Sequence, residues 1–215
     1  MIQINEFISY LPACRNPLSC DVVFIKQKDL NGESCTWIFD VGSSKEAADA
    51  INSVEGKKNI VLSHFHPDHV LNLLRKIRYD ELFVSKYTKR YLRTGKVVEE
   101  DFTVPGTPEI KVFRFPSSHA KGCLALLCGN YAFFGDGTYA KEKIGAHSYN
   151  AQLLKEEIEL LKTLPCEFVC LDHDKNFIQK RTGLIELHEQ IYARRKEGNP
   201  VISVEDFFNS DGSVK

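Results

Sequence analysis

The chain has 215 residues, room for one substantial domain, and its 43% hydrophobic and 27% charged content excludes a disordered chain too polar to bury a core. Lys plus Arg number 28 against 29 Asp plus Glu, so the net charge of −1 gives no global attraction for nucleic acid or an anionic membrane. No apolar run approaches the ~18 residues of a membrane span.

At the start, Met1-Ile2-Gln3-Ile4-Asn5-Glu6 has no basic stretch leading into an apolar segment, so no signal peptide and a cytoplasmic location are expected. Asp21 to Gln27 and Cys35 to Asp40 are rich in β-branched and aromatic residues, and Asn31-Gly32 between them predicts a hairpin. Ser44 is placed to cap a helix through Ala47, Ala48 and Ile51. Asn59 to Ser63 reads as a short buried strand. After His69, the spacing of Val70, Leu73, Leu74 and Ile77 predicts a helix, then Leu82 to Ser85 a strand and Lys86 to Arg93 a helix.

A turn-rich stretch from Val104 to Pro108 separates this half from three strands at Ile110 to Phe115, Cys123 to Leu127 and Tyr131 to Phe134. Asn150 is placed to cap an amphipathic helix carrying Leu153, Leu154, Ile158, Leu161 and Leu164. Glu167 to Leu171 reads as a strand, and Leu184, Leu187, His188 and Ile191 as the buried side of a last helix, with His188 expected to pack in the core. Strands come first in each half and helices after, which suits two packed mixed sheets covered by outer helices. The seven cysteines are scattered, odd in number and without C-x-x-C spacing, so reduced thiols are expected rather than a disulfide framework or zinc ribbon.

The densest chemistry lies in Ser63-His64-Phe65-His66-Pro67-Asp68-His69, directly after a predicted strand. Residues two apart on an extended segment point the same way, so His64 and His66 suit one metal. Pro67 ends the extended run, and the turn beyond it can swing Asp68 and His69 towards an adjacent position. Three further residues sit where predicted strands end: His119 between two strands, Asp136 within Gly135-Asp136-Gly137, and His173 within Asp172-His173-Asp174. Glycine on both sides of Asp136 permits a tight turn and a close ligand. Asp172 and Asp174 are placed equally well to orient the His173 ring or to be solvated turn carboxylates.

This series, H-x-H-x-D-H followed by a later His, a Gly-Asp and a final His, resembles the metal-binding order of the metallo-β-lactamase-fold superfamily. The resemblance spans essentially the whole chain and implies a single α/β (α+β) domain over 1–215. Its fold would be an αββα sandwich, two mixed sheets flanked by helices, with metals at one edge. It also implies a dinuclear site: His64, His66 and His119 on one metal, Asp68, His69 and His173 on the other, and Asp136 bridging. The all-imidazole and carboxylate set suits zinc best and permits iron or manganese. The sequence departs from many members at Ala120-Lys121, where Thr and Pro are common, and at Val70-Leu71-Asn72, where glycines are common.

Two cations sharing a carboxylate lower the pKa of bound water to ~7. The implied activity is therefore hydrolysis by metal-activated hydroxide, oriented by Asp68. A Cys ligand and export signal, expected of the commonest β-lactamases, are missing, and there is little room for a nuclease's added domain. A small-molecule substrate with an ester, thioester or lactone is expected; the closest ligand set is that of glyoxalase II-type thioester hydrolases. The rivals are a phosphodiesterase acting on a small phosphoester or nucleotide, and a mononuclear iron, sulfur dioxygenase-like redox enzyme. Lys121, Tyr139, Lys141, Lys143, His147 and Tyr149 flank the later motifs and are the candidates to line the pocket mouth.

Overall fold

The computed structural model describes residues 1–144 and 146–205; Gly145 and residues 206–215 of the single domain predicted over 1–215 lie outside the described residues. The first half contains β1 (Ile2–Gln3), β2 (Ile8–Leu11), β3 (Cys14–Arg15), β4 (Leu18–Ser19), β5 (Val22–Lys28), β6 (Ser34–Phe39), α1 (Lys45–Ser53) and β7 (Lys57–Val61). It continues through α2 (Pro67–Val70), a 3-10 turn at Leu71–Arg75, β8 (Glu81–Val84), α3 (Lys86–Leu92) and β9 (Lys96–Val97). Seven of these strands form one mixed sheet in the order β1-β2-β5-β6-β7-β8-β9, parallel from β6 onward, while β3 and β4 pair as a small separate hairpin.

The second half contains β10 (Phe102–Val104), β11 (Ile110–Phe115), β12 (Cys123–Cys128), β13 (Tyr131–Phe133), β14 (Lys141–Lys143), β15 (Ala146–Asn150) and α4 (Ala151–Thr163). It ends with β16 (Phe168–Cys170), β17 (Ile178–Lys180), α5 (Arg181–Ala193) and β18 (Val201–Ser203). Its sheet has the order β10-β11-β12-β13-β16-β17, and β14, β15 and β18 make a third, three-stranded sheet.

Strand alternation builds the layers. Val23, Ile25, Trp37 and Phe39 face Val112, Leu124, Leu126 and Phe133 in a core between the two sheets. Their neighbours Val22, Phe24 and Ile38 point the other way, against Ala47, Ala48 and Ile51 of α1. On the second sheet, Cys123, Ala125 and Leu127 pack against the outer helices through Leu154, Ile158 and Leu184. The result is an αββα sandwich, as the motif series implied. Both predicted caps form: Ser44 Oγ accepts from Ala47 N at 3.1 Å, and Asn150 Oδ1 accepts from Gln152 N and Leu153 N at 3.0 Å each.

The helix predicted after His69 is cut short to α2 and the 3-10 turn, which closes on Lys76 in the left-handed region at φ 57°. The cause is Asn72, a buried residue whose amide donates to Val41 O (2.9 Å) and Ser44 O (2.8 Å) and draws the turn onto the loop before α1. Leu74, expected on the apolar face, is consequently 77% exposed. Strands of two to five residues at the sheet edges carry too short an alternation to read from sequence. Among the described residues no helix is long and apolar enough to cross a membrane, and all seven cysteines are free.

Candidate metal centre

The segment after β7 stays extended because it is held from both sheets: Leu62 N donates to Phe83 O at 3.0 Å, and Leu124 N donates to Ser63 O at 2.8 Å. His66 remains extended (φ −66°, ψ 146°), and Pro67 then opens α2 at its first position, where a missing N–H costs nothing. That change of direction places Asp68 and His69 on the first helical turn. Asp136 follows β13 through Gly135 at φ 57°, where a Cβ would lie 2.5 Å from Ser63 Oγ, so only glycine lets the two loops approach. His119 comes from the β11–β12 loop. His173 follows β16 at φ 62°, with its N–H donating to Asp21 Oδ2 at 3.1 Å.

The structure brings together all seven residues of the predicted ligand series, in two groups that share Asp136. One group is His64, His66, His119 and Asp136, the other Asp68, His69, Asp136 and His173, each with ligand atoms within 4.8 Å of one another. A tetrahedral ion with ligand bonds of about 2.1 Å needs ligand atoms about 3.4 Å apart. In the first group, His66 Nδ1 and His119 Nε2 are 3.0 Å apart, and His119 Nε2 is 3.4 Å from Asp136 Oδ2. In the second, His69 Nε2 lies 3.5 Å from Asp68 Oδ2 and 3.3 Å from Asp136 Oδ2, and His173 Nε2 lies 2.9 Å from Asp68 Oδ2. These separations bracket the tetrahedral edge. His64 Nε2, His69 Nε2 and Asp136 Oδ1 are buried with no hydrogen-bond partner among the described residues, a cost that a shared cation would remove. The residues fit a metal pair.

Surrounding acceptors set which ring nitrogen faces the site. Asp40 Oδ2 accepts from His69 Nδ1 at 2.8 Å, so His69 presents an unprotonated Nε2 when neutral. Ser63 Oγ donates to the same Asp40 oxygen at 2.6 Å and can then accept from His64 Nδ1 at 2.9 Å, which turns His64 Nε2 inward. Ser63 N also donates to Asp40 Oδ1 at 2.7 Å. At 3.4 Å from the Ala140 carbonyl, His119 Nδ1 is oriented the same way. Neither Asp40 nor the Ser63 hydroxyl was singled out from sequence. Asp172, expected to serve His173 or solvent, instead lies buried with Oδ2 3.7 Å from His69 Nδ1.

The two groups carry different charge. Burial, followed by repulsion from neighbouring imidazoles, pushes His64 well below the ordinary imidazole range, and His66 is lowered by the same causes. For His119, burial outweighs the attraction of Asp136 and lowers it. Around the second position, burial opposes ionisation of His69, but Cys20 and the carboxylates of Asp40 and Asp136, the latter 3.3 Å from Nε2, outweigh it and hold the imidazole well above its ordinary value. Burial likewise works to raise Asp68 and Asp136, yet the close imidazoles of His173 and His69 respectively leave both carboxyls below their usual range. The second group is therefore a cluster of carboxylates that holds positive charge.

The centre opens into a cavity of about 1200 Å³ whose wall includes Lys121 and Lys141. Tyr139, His147 and Tyr149 line a second cavity of about 500 Å³, which also touches His119. Tyr149 is buried with its hydroxyl donating to Thr138 O at 3.0 Å, and Tyr139 donates to Asp172 O at 2.6 Å. Lys143 lies exposed on β14, and His188 is buried as expected.

No family model and no curated protein matches the sequence. Solved structures do. The chain is similar to an archaeal metallo-β-lactamase superfamily protein from Sulfolobus tokodaii, at 17% identity and TM-score 0.59, covering 91% of this chain and 90% of that one. It is also similar to a B3 metallo-β-lactamase with an active-site glutamic acid, at 12% identity and TM-score 0.62, over 82% and 84% of the two chains. A third likeness is to the metallo-β-lactamase FIM-1 from Pseudomonas aeruginosa in its mono-zinc form, at 11% identity and TM-score 0.58, over 89% and 97%. The chain has the metallo-β-lactamase fold.

Proposed function

We propose that this protein is a dinuclear metal-dependent hydrolase that cleaves an ester, thioester or lactone of a small molecule. The observation that carries the reading is the pair of ligand groups sharing Asp136, with His64 Nε2, His69 Nε2 and Asp136 Oδ1 buried and without a hydrogen-bond partner among the described residues. His64, His66, His119 and Asp136 would hold one cation, and Asp68, His69, His173 and Asp136 the other, with zinc the best match to the donor set. Such a pair supplies Lewis acidity to the reacting carbonyl and acidifies the attacking water.

The chain's own residues do the rest. Asp68 has Oδ2 2.9 Å from His173 Nε2 and is partly open to the cavity. Its carboxylate is the group placed to orient the attacking water and receive its proton. Asp40 and Ser63 hold the rings of His69 and His64, so the ligand nitrogens are set before substrate arrives. Cytoplasmic location and a small-molecule partner complete this reading, with neither nucleic acid nor membrane required.

Metal content by mass spectrometry, measured beside a panel of thioesters, lactones and bis-p-nitrophenyl phosphate, tests it. About two equivalents of zinc or manganese per chain with turnover of a thioester, ester or lactone is the expected outcome. Selective turnover of the phosphodiester would replace the carbonyl substrate, and one equivalent of iron without hydrolysis would overturn the hydrolase reading.

A further inference from the structure

The wall of the 1200 Å³ cavity combines two features that neither the metal ligands nor the fold requires. The first is charge. Arg15, Lys121, Lys141 and Lys175 line it, all four are exposed, and none forms an ion pair among the described residues. The same wall holds five carboxylates, of which Asp68 and Asp136 belong to the candidate ligand set, so the four cations stand against Asp21, Glu142 and Asp174 outside it. Of the carboxylates nearby, Asp68 and Asp136 face the centre, Asp21 accepts from Ala13 N and His173 N, and Asp174 Oδ1 accepts from Asn176 N. Glu142 is exposed, 3.9 Å from His147 Nε2.

The second feature is apolar. Ile2, Leu18, Tyr91 and Ile144 line the same cavity while being 47%, 55%, 65% and 96% exposed. They make up half of the eight exposed large hydrophobic residues among those described. The same wall holds two stacked aromatic pairs, Phe65 on Tyr91 at 4.1 Å and Tyr10 on Phe177 at 4.3 Å between centroids. Charge and apolar surface also come from the same elements. The β3–β4 hairpin carries Arg15 and Leu18, and the β14–β15 hairpin carries Lys141 and Ile144.

From this pairing of cations with exposed apolar side chains at one opening, we infer that the substrate is an amphiphilic anion. Beyond the scissile carbonyl it carries an aryl or alkyl group and a fixed negative charge. The inference rests on the hydrolase reading for the position of the reacting bond. A short neutral ester would leave both features unused, whereas an aromatic or acyl group held on the stacked rings would bring its anionic end to the lysines.

The test uses metal-loaded protein and two aryl thioesters that differ only by a sulfonate, a weak metal ligand, on the ring of the acyl part. The sulfonated compound is expected to have roughly tenfold the kcat/KM of the neutral one at 50 mM salt, an advantage that shrinks at 500 mM. In a K121A/K141A variant, the preference should collapse towards one, through KM. Calorimetric titration of naphthalene-1-sulfonate supplies a readout independent of turnover: its Kd should rise about tenfold in the double variant and in Tyr91→Ala. Equal binding of naphthalene-1-sulfonate and its neutral methyl sulfone, or binding unchanged in both variants, would overturn the inference. So would co-sedimentation with phosphatidylserine vesicles that naphthalene-1-sulfonate cannot displace, since the rim would then face a membrane. Turnover of neutral short esters alone sinks the inference and leaves the hydrolase standing. Sulfonate binding of the expected pattern with no ester hydrolysed sinks the hydrolase and leaves the anion site.

Discussion

His69 against Asp40 and His188 against Glu157 are both imidazole–carboxylate pairs buried almost completely, with N···O distances of 2.8 Å and 3.0 Å. Asp40 is fully served: besides His69 Nδ1, it accepts from Ser63 N and Ser63 Oγ, one of its oxygens taking two of these bonds. Glu157, on the inner face of α4, has neither oxygen in hydrogen-bond alignment with a described partner, and the same holds for His188 Nδ1. Burial therefore pushes the Glu157 carboxyl up to about 7, and the charge of His188 only partly offsets it. A completed network fixes geometry for a neighbouring site, whereas an incomplete one leaves a titratable weakness in the outer helical layer.

The largest effects fall on the completed side. Replacing Asp136 by Ala removes the carboxylate common to both groups, so metal content and turnover are expected to disappear together. Full activity with full metal content would break the shared role. Asp40→Ala leaves the buried His69 ring and Ser63 hydroxyl without their acceptor. Denaturant titration of the metal-loaded protein should then show a loss of roughly 3–5 kcal/mol. Metal affinity should fall about 10–100-fold, the scale for groups that orient a ligand. A stability loss with unchanged metal affinity would show that Asp40 serves the fold alone.

The completed side was also the more legible in sequence, though unevenly. His64, His66, Asp68 and His69 sit in one segment whose two-residue spacing and following proline already imply two neighbouring positions. Asp136 stood out as a carboxylate ending an apolar strand between glycines. Asp40 ends Cys35-Thr36-Trp37-Ile38-Phe39 in the same manner, just before Val41-Gly42. Nothing local, however, says that it meets a histidine 29 residues later. Helices α1, α3, α4 and α5 and the central strands β5 to β8, β11 to β13 and β16 were legible, whereas β2 was not and the helix after His69 is cut short. Which loop side chains face which cavity was not legible, because it depends on the short sheet of β14, β15 and β18, whose strands carry no readable period. Glu157 was hidden differently: a charged residue amid Leu153, Leu154, Ile158 and Leu161 reads as the polar edge of an amphipathic helix, yet it turns inward to His188.

Glu157 gives the pH-dependent contrast. Its carboxyl is raised from 4.5 to about 7, so the folded state resists an ionisation that the unfolded chain allows. Its contribution to stability is fully present below pH 4.5 and is lost progressively as the pH rises through about 7. A shift of this size corresponds to roughly 3 kcal/mol. Glu157→Gln keeps the shape without the charge. The variant is expected to match the wild type near pH 4.5 and to exceed it by up to about 3 kcal/mol at pH 8 in paired denaturant titrations. A constant difference across that range would mean that Glu157 is stably paired after all, and the contrast with Asp40 would fail.

Asn72 isolates what hydrogen bonding contributes beside the metal centre when no charge is involved. It is wholly buried, two residues after α2, and its amide nitrogen bridges the Val41 and Ser44 carbonyls on the loop that follows Asp40, while its Oδ1 has no partner among the described residues. Asn72→Ala strands the Val41 carbonyl, leaves Ser44 O its bond from Ala48 N at 3.2 Å and removes an unpaired acceptor, so the net loss should sit at the low end of about 1–3 kcal/mol. Because no proton is exchanged, the loss should be the same at pH 5 and pH 8, unlike that of Glu157. The turn that carries Asp68 and His69 would still be held by Pro67 and by His69 N donating to His66 O at 3.0 Å. Metal affinity is therefore expected to stay within a few-fold of wild type, on the weak side of the 10–100-fold range for groups that orient a ligand. A drop as large as that of Asp40→Ala would mean that the loop from Val41 to Ser44, rather than the Asp40 carboxylate alone, positions His69.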